Sequence, residues 1–375
     1  MAEITQKKSL KDVISVILTL QTQYSPNNTE AMRYRGNLVR NELPQLLAAH
    51  GSSFTPQFEK LGYSASIEGK DGIGRKAMSA WVRLYDKDMS PSATSGWYIV
   101  IHFSSKGDCF YLTLGCGATV FKGGSLVDVD DSDLAKNISW AKSICMGKSP
   151  LNNRFKDDVN LHGNHLSQQF EKAIAFAKKY HVTEFIEDTF SADLSTLSDM
   201  LLLIYEAERL GKAPFSESPE LRELQAALSK TAHPNRKTAT GQGRFLSQQE
   251  KKEVELHAMR IVRTELNRRG FKNIEDTSAK EPYDFTALKD DCEWLIEVKG
   301  TTSNSADSFL ITANEFVTHH EHKGRTILAI VFDIELTRSG EISTASGGKL
   351  WIDIPWNPET WEFKPTAYSA SRKIR

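Results

Sequence analysis

Long apolar runs are missing from this chain. No segment reaches the roughly eighteen uninterrupted apolar residues that a membrane helix needs, and Lys11 and Asp12 interrupt the first apolar stretch where a signal peptide requires continuity. These absences predict a cytoplasmic protein with no membrane partner. Cysteine is scarce as well. Cys109, Cys116, Cys145 and Cys292 form no C-x-x-C pair, which argues against a disulfide framework or a zinc ribbon. An excess of one charge is also lacking, since 47 Lys and Arg against 48 Asp and Glu leave a formal charge of -1. Any nucleic-acid contact must therefore be local. There is no internal repeat and no G-x-x-x-x-G-K-[ST] phosphate loop, so no nucleotide cofactor is expected.

What is present suffices for two or three domains: 375 residues, 39% of them apolar. Three basic clusters recur, Lys70 with Arg75 and Lys76, then Lys142, Lys148, Arg154 and Lys156, then Lys230, Arg236, Lys237 and Arg244. Solvated surface is the default for each, and only their recurrence hints at nucleic acid.

Charged groups stand where buried strands should have none in Tyr283-Asp284-Phe285 and in Trp294 to Gly300. Tyr283 to Leu288 and Glu293 to Val298 have strand character around a polar break at Lys289 to Cys292, which reads as an antiparallel hairpin. Symmetric pairing sets Asp284 opposite Glu297. Alternation puts Trp294, Ile296 and Val298 on one face and Glu293, Leu295, Glu297 and Lys299 on the other. Two carboxylates with a lysine suit a hydrolase dependent on Mg2+, with Mn2+ as a substitute. The ion takes one or two carboxylates and keeps waters, and the lysine offsets charge developing on a phosphate. By itself, E-x-K on a strand is more often a solvated surface pattern.

Upstream, Leu246 to Arg269 has helical spacing, with Val254, Ala258, Ile261, Val262 and Leu266 as its apolar stripe and Gly270 as its stop. Glu255 borders the stripe and is expected to face the hairpin, with Glu250 and Glu253 on the solvated side. This order of helix Glu, strand Asp and strand E-x-K resembles the PD-(D/E)xK nucleases. More narrowly, about Glu250 to Ile334 resembles the C-terminal domain named after the NO VEIN protein, a nuclease-like family. The likeness lies in Glu255, Gly270-Phe271, Tyr283-Asp284-Phe285, Ile296 to Thr301 and Thr312-Ala313-Asn314-Glu315. It implies Asp284 and Glu297 as metal ligands, Lys299 as the catalytic lysine and Glu255 as a supporting carboxylate. Further on, Phe309 to Ile311 is expected as a third strand, Thr312 with Glu315 as a capping box, and Arg325 to Ile334 as a central strand. His319, His320 and His322 read as the polar side of a helix. Trp351, Trp356 and Trp361 are expected to pack back on the core, ahead of a disordered basic end at Arg372, Lys373 and Arg375.

In the N-terminal half, amphipathic helices are expected at Leu10 to Gln23 and Met32 to Ala49, then strands near Ser64 to Ile67, Ala80 to Tyr85, Trp97 to Phe103 and Cys109 to Leu114. Helices follow near Leu134 to Cys145 and His165 to Tyr180. The glycine-rich basic loop from Gly69 to Lys76 lets backbone amides approach phosphate, and Trp81 just after it offers a stacking plate. A loop and a core tryptophan are the commoner reading of such residues. From Leu10 to about Lys179, however, the chain resembles the McrB-type N-terminal DNA-binding domain. The likeness lies in Gln21 to Tyr24, Gly72-Ile73-Gly74, Ala80-Trp81-Val82, Gly96 to Val100 and Phe110 to Leu114. That resemblance implies that a modified cytosine of double-stranded DNA is flipped into an aromatic pocket. Trp81 takes the place of the pocket tryptophan, while Gly72, Gly74, Lys70, Arg75 and Lys76 lie on the loop and Trp97, Tyr98 and His102 stand in reserve. Ile73 falls where an aromatic is expected, which leaves the base open between 5-methylcytosine and 5-hydroxymethylcytosine.

The expected organisation is an α+β reader over 1–187, a helical connector and linker over 188–245, and an α/β domain with a nuclease-like mixed sheet over 246–375. The helical stretch Asp188 to Ser229 is read as a brace between domains or a dimer contact. The expected function is a modification-dependent endonuclease acting as a homodimer without NTP. The alternatives are a non-cleaving modified-DNA-binding subunit and an adaptor.

Overall fold

The computed structural model describes residues 8–72, 74–122, 125–146, 154–214, 219, 221–224, 227, 245–339 and 342–364. Ile73, Lys148, the linker 231–243, the basic residues Lys230, Arg236, Lys237 and Arg244, and the end at Arg372, Lys373 and Arg375 lie outside the described residues. The chain divides into two compact units, Met1–Ser216 with Lys230–Phe245 and Glu217–Ser229 with Leu246–Arg375. No helix among the described residues is long and apolar enough to cross a membrane.

The first unit begins with α1 (Leu10–Gln21), opened by a capping box between Ser9 and Asp12. The expected second helix is α2 (Glu30–Asn37) and α3 (Leu43–Ala49) joined by a π turn at Leu38–Glu42. After α4 (Thr55–Lys60) come β1 (Ala65–Lys70), β2 (Trp81–Asp86), β3 (Trp97–Phe103) and β4 (Phe110–Cys116). A small hairpin, β5 (Thr119–Lys122) with β6 (Ser125–Asp128), leads to α5 (Asp131–Met146), α6 (His165–Lys172), β7 (Ile174–Tyr180) and α7 (Glu187–Arg209).

The main sheet runs β1-β2-β3-β4-β7, antiparallel throughout. Period-two alternation sorts β3: Trp97, Ile99, Ile101 and Phe103 join the core under the helices, while Tyr98, Val100 and His102 face the other way. Two expectations change here. The helix expected over His165 to Tyr180 ends at Lys172, because Ile174 to Tyr180 instead pairs with the free edge of β4, from Phe110↔Tyr180 to Leu114↔Phe176. And α7, the first part of the stretch read as a brace between domains or a dimer contact, belongs to the first core, where it buries Phe190, Leu194, Leu197, Leu201 and Tyr205.

Gly69 in β1 lies against the π turn, and a Cβ there would stand 1.8 Å from the carbonyl oxygen of Val39. Gly69→Ala is expected to lower the melting temperature of this unit by about 5–10 °C, on the order of 2–3 kcal/mol. An unchanged melting curve by circular dichroism would contradict that packing.

The second unit contains α8 (Gln248–Arg268), β8 (Lys272–Asp276), β9 (Phe285–Lys289), β10 (Cys292–Gly300), α9 (Ala313–Glu321), β11 (Thr326–Ser339) and β12 (Ile342–Asp353). Its mixed sheet runs β12-β11-β10-β9-β8, with β10 and β11 parallel and the other pairs antiparallel. On one face α8 lays Val254, Ala258, Val262 and Leu266 over Ile296, Val298 and Ile327. On the other, Leu328 and Ile330 are covered by Trp356, Trp351 and Trp361, so the tail does pack back. Phe309 to Ile311 forms no strand. Phe309 sets its ring edge-on to Trp361 at 4.9 Å, and the segment caps this second face as a loop.

Candidate functional site

In the first unit, the face of the sheet opposite the main helical core forms one wall of a cavity of about 480 Å3, within the range of about 300–1,000 Å3 that takes small ligands. Cross-strand partners share a face, and the row Lys70↔Trp81↔His102 crosses three strands. Lys70, Gly72, Arg75, Lys76, Trp81, Tyr98 and His102 all line the cavity. Two candidates do not. Trp97 points to the opposite face, where it lies 3% exposed with its ring 6.1 Å from Trp140, because odd positions of β3 face the helices. Gly74 stays in the loop with nothing near its Cβ position, and Ile73 is outside the described residues.

The loop is held from below. Buried Arg35 donates to Gln21 Oε1 and to the Ala77 carbonyl, each at 2.8 Å, and Gln21 donates to the Met78 carbonyl. Buried Asp71 accepts from Lys76 at 2.8 Å and from Arg40. Gly72 has φ +111°, and a Cβ would meet the Arg75 carbonyl at 2.0 Å, so only glycine makes this turn. Lys70 and Arg75 are exposed and have no ion-pair partner among the described residues, which leaves their charge available at the mouth. The far wall, Asn164, Leu166, Ser167 and Phe170 of α6 and its cap, gave no signal in sequence because an expected long helix covered it.

In the second unit the hairpin forms as expected. Phe285 pairs with Ile296, which sets Asp284 beside Glu297, and Asp284 Oδ2 accepts from the Val298 amide at 2.7 Å. Lys299 Nζ reaches Glu297 Oε1 at 2.5 Å and Glu315 Oε2 at 3.2 Å. Burial, and then the charge of Glu297, push the Asp284 carboxyl up to about 7. Burial works against the Lys299 ammonium, but Glu297, Glu315 and Asp284 outweigh it and hold it above its usual range.

Two neighbours of this cluster stand out, one with a contact beyond its expected cap and one misread. Glu315 does cap α9 through Thr312, yet the same Oε2 faces Lys299. His319, read as part of a polar helix face, is fully buried, with Nε2 3.4 Å from Glu297 Oε2 and its ring edge-on to Trp356 at 5.1 Å. The i, i+4 spacing of Glu315 and His319 was the available signal. His320 and His322 are exposed, as expected.

Glu255 is exposed on α8, and no ion pair or hydrogen bond among the described residues joins it to the cluster. Glu315 supplies the third carboxylate instead. Glu250, expected in solvent, is 1% exposed and accepts from Arg338 Nε at 2.7 Å while completing the cap of α8.

Among the described residues no group of three or more His, Cys, Asp and Glu could hold a metal ion. A cation here would rest on Asp284 and Glu297 alone among side chains. Lys299 alone faces Glu297 and Glu315, so one of their charges remains uncompensated, and ionised Asp284 adds a second. Hard oxygen donors with two charges in excess fit a Mg2+ ion that keeps most of its waters.

Comparison with protein families gives two matches. The MrcB-like, N-terminal domain matches residues 19–206, and the Protein NO VEIN, C-terminal domain matches residues 254–343. No curated protein and no solved structure gives a match.

Proposed function

From a chain that belongs to the MrcB-like N-terminal domain family and carries a NO VEIN C-terminal domain behind it, we propose a modification-dependent DNA endonuclease. The observation that carries the proposal is that one chain pairs a ligand-sized cavity with a basic mouth and, in its other unit, a buried carboxylate, carboxylate and lysine cluster. In the reader, Trp81 stacks on a flipped modified cytosine, and Lys70 and Arg75 meet the phosphates beside it. Flipping costs a few kcal/mol and one aromatic stack returns about 1–3, so Trp81 offsets much of it.

In the second unit, Asp284 and Glu297 would hold Mg2+, which supplies charge stabilisation at the phosphate and a more acidic bound water. Lys299 stays protonated at neutral pH because three carboxylates surround it, so it acts by charge and orientation and not as a base. Glu315 holds that lysine directly, and His319 holds Glu297, its other partner. One such site cuts one strand, so a double-strand break takes a homodimer or two molecules meeting on DNA. Neither reader nor cutter contains a phosphate loop, so the reaction runs without NTP.

One observation favours a non-cleaving modified-DNA-binding subunit instead: Glu297 is 2% exposed and engaged by both Lys299 and His319. Nicking of supercoiled plasmid in Mg2+, with and without chelator, separates the two. Chelator-sensitive nicking supports the endonuclease; binding with no nicking supports the subunit.

The acidity of Asp284 makes cation binding pH-dependent. Its carboxyl ionises near 7 in the fold against 3.8 for the free side chain. The folded state therefore keeps a proton that the unfolded state releases, and this contribution to stability is lost as pH rises from about 4 to about 7. Cation binding needs the ionised form, so Mg2+ affinity is expected to fall about tenfold per pH unit below 7, with up to one proton released on binding. Titration calorimetry in buffers of different ionisation enthalpy measures both. Affinity independent of pH between 5.5 and 8 would contradict the assignment.

A further inference from the structure

The polar side chains in the wall of the first-unit cavity are almost all committed to the protein itself. Tyr98 donates to the carbonyls of Ala93 at 2.7 Å and Cys116 at 3.1 Å. Thr113 Oγ1 donates to the Val100 carbonyl at 3.2 Å, and the Ser79 and Ser167 hydroxyls bond each other at 2.9 Å. Asn164 is taken up in capping α6.

His102 is different. It is 5% exposed, its Nδ1 is buried with no hydrogen-bond partner, and no hydrogen bond of either ring nitrogen occurs among the described residues. Its neighbours are the Phe170 ring at 5.8 Å and, directly across the ladder, Trp81. Burial pushes the imidazole down to about 3, so it stays neutral, with one donor and one acceptor. Buried polar groups are nearly always satisfied, and this unpaired nitrogen stands in the wall of a ligand-sized cavity.

A base entering this cavity must leave its glycosidic nitrogen at the mouth, where Lys70 and Arg75 stand and the strand departs. Its C4 and C5 side then points inward, toward His102. The amine on C4 is common to every cytosine and separates nothing. A methyl on C5 offers the imidazole no partner, whereas a hydroxyl can both donate and accept. The cavity volume leaves room for the added atom. We propose that this site selects cytosine carrying a hydroxylated C5 substituent, 5-hydroxymethylcytosine over 5-methylcytosine, and that His102 is the residue that makes the distinction. This rests on the modified-base reading proposed above.

The test is fluorescence-anisotropy binding of the full chain, without divalent cation, to duplexes carrying one cytosine, 5-methylcytosine or 5-hydroxymethylcytosine. The wild type is expected to bind the hydroxymethyl duplex about tenfold or more tightly than the methyl duplex, since a site built to hydrogen-bond a hydroxyl rejects the analogue without it. His102→Leu should bring the two together by weakening the hydroxymethyl duplex alone, and His102→Asn should keep most of the preference. Equal or tighter binding of the methyl duplex by wild type overturns the inference while leaving the modified-base reading intact. So does a His102→Leu variant that weakens both duplexes equally. If no modified duplex binds better than the unmodified one, the modified-base reading falls, and the inference with it. The wild-type ratio decides even if the leucine variant fails to fold.

Discussion

Lys299→Ala is expected to slow DNA cleavage by about 10²–10³-fold, the cost of removing one preorganised charge from a phosphoryl-type transition state. Binding of DNA by the first unit should be unaffected. The reason lies in how Lys299 is held. Its ammonium lies 2.5 Å from Glu297 and 3.2 Å from Glu315, and its charge also moderates the like charges of Glu297 and Asp284. Without it, three carboxylates face one another with no side-chain cation between them, so the loss combines a missing stabiliser with a disturbed pair. Lys299→Arg is no conservative rescue, because a planar fork cannot occupy the place of a compact ammonium. Single-turnover cleavage at saturating Mg2+, with melting curves for both proteins, measures the effect. Cleavage by the alanine variant within tenfold of wild type would remove Lys299 from the chemistry.

The second large effect belongs to Trp81. Base stacking on an aromatic is worth about 1–3 kcal/mol, so Trp81→Ala is expected to weaken binding to modified DNA by about five- to 150-fold. Unmodified DNA, which keeps its base in the helix, should bind as before, and the preference should collapse. Val82 and Leu84, the neighbours of Trp81 that face the core, are untouched by the change, so the sheet should persist. Cation binding in the second unit should be unchanged. Competition binding with matched duplexes checks this, and discrimination that survives in the alanine variant would place the base elsewhere.

Much of this was legible because the informative residues sit in strands with strict alternation. From Trp97 to Phe103 the period of two assigns each side chain to a face once one residue is placed, yet the sequence alone does not say which face carries the cavity. Trp97 and Tyr98 were therefore equal candidates until the helices were seen to cover the odd positions. The Asp284 and Glu297 pairing followed from a short symmetric hairpin, whose register the turn fixes.

Helix readings fared less well near their ends. Glu255 lies beside the apolar stripe of α8 but in the first half of the helix, where its side chain is exposed, while Glu250 was drawn inward by Arg338, an ion pair between residues far apart in sequence. His319 looked like one of three polar histidines. Trp356, brought back from the tail, and Glu297 from β10 help to enclose it. Ile174 to Tyr180 suited a helix locally and became a strand because β4 had an open edge. In each case the deciding partner was distant in the chain, which local periodicity does not report.

The account joins reading and cutting in one chain, and a single incubation tests that join. The purified protein is mixed with Mg2+ and matched plasmids carrying cytosine, 5-methylcytosine or 5-hydroxymethylcytosine, each with and without chelator, beside the Lys299→Ala variant. The expected result is discrete, chelator-sensitive fragments from modified plasmid alone, absent with the variant. Equal cleavage of unmodified plasmid, or cleavage that survives both chelator and Lys299→Ala, would contradict it.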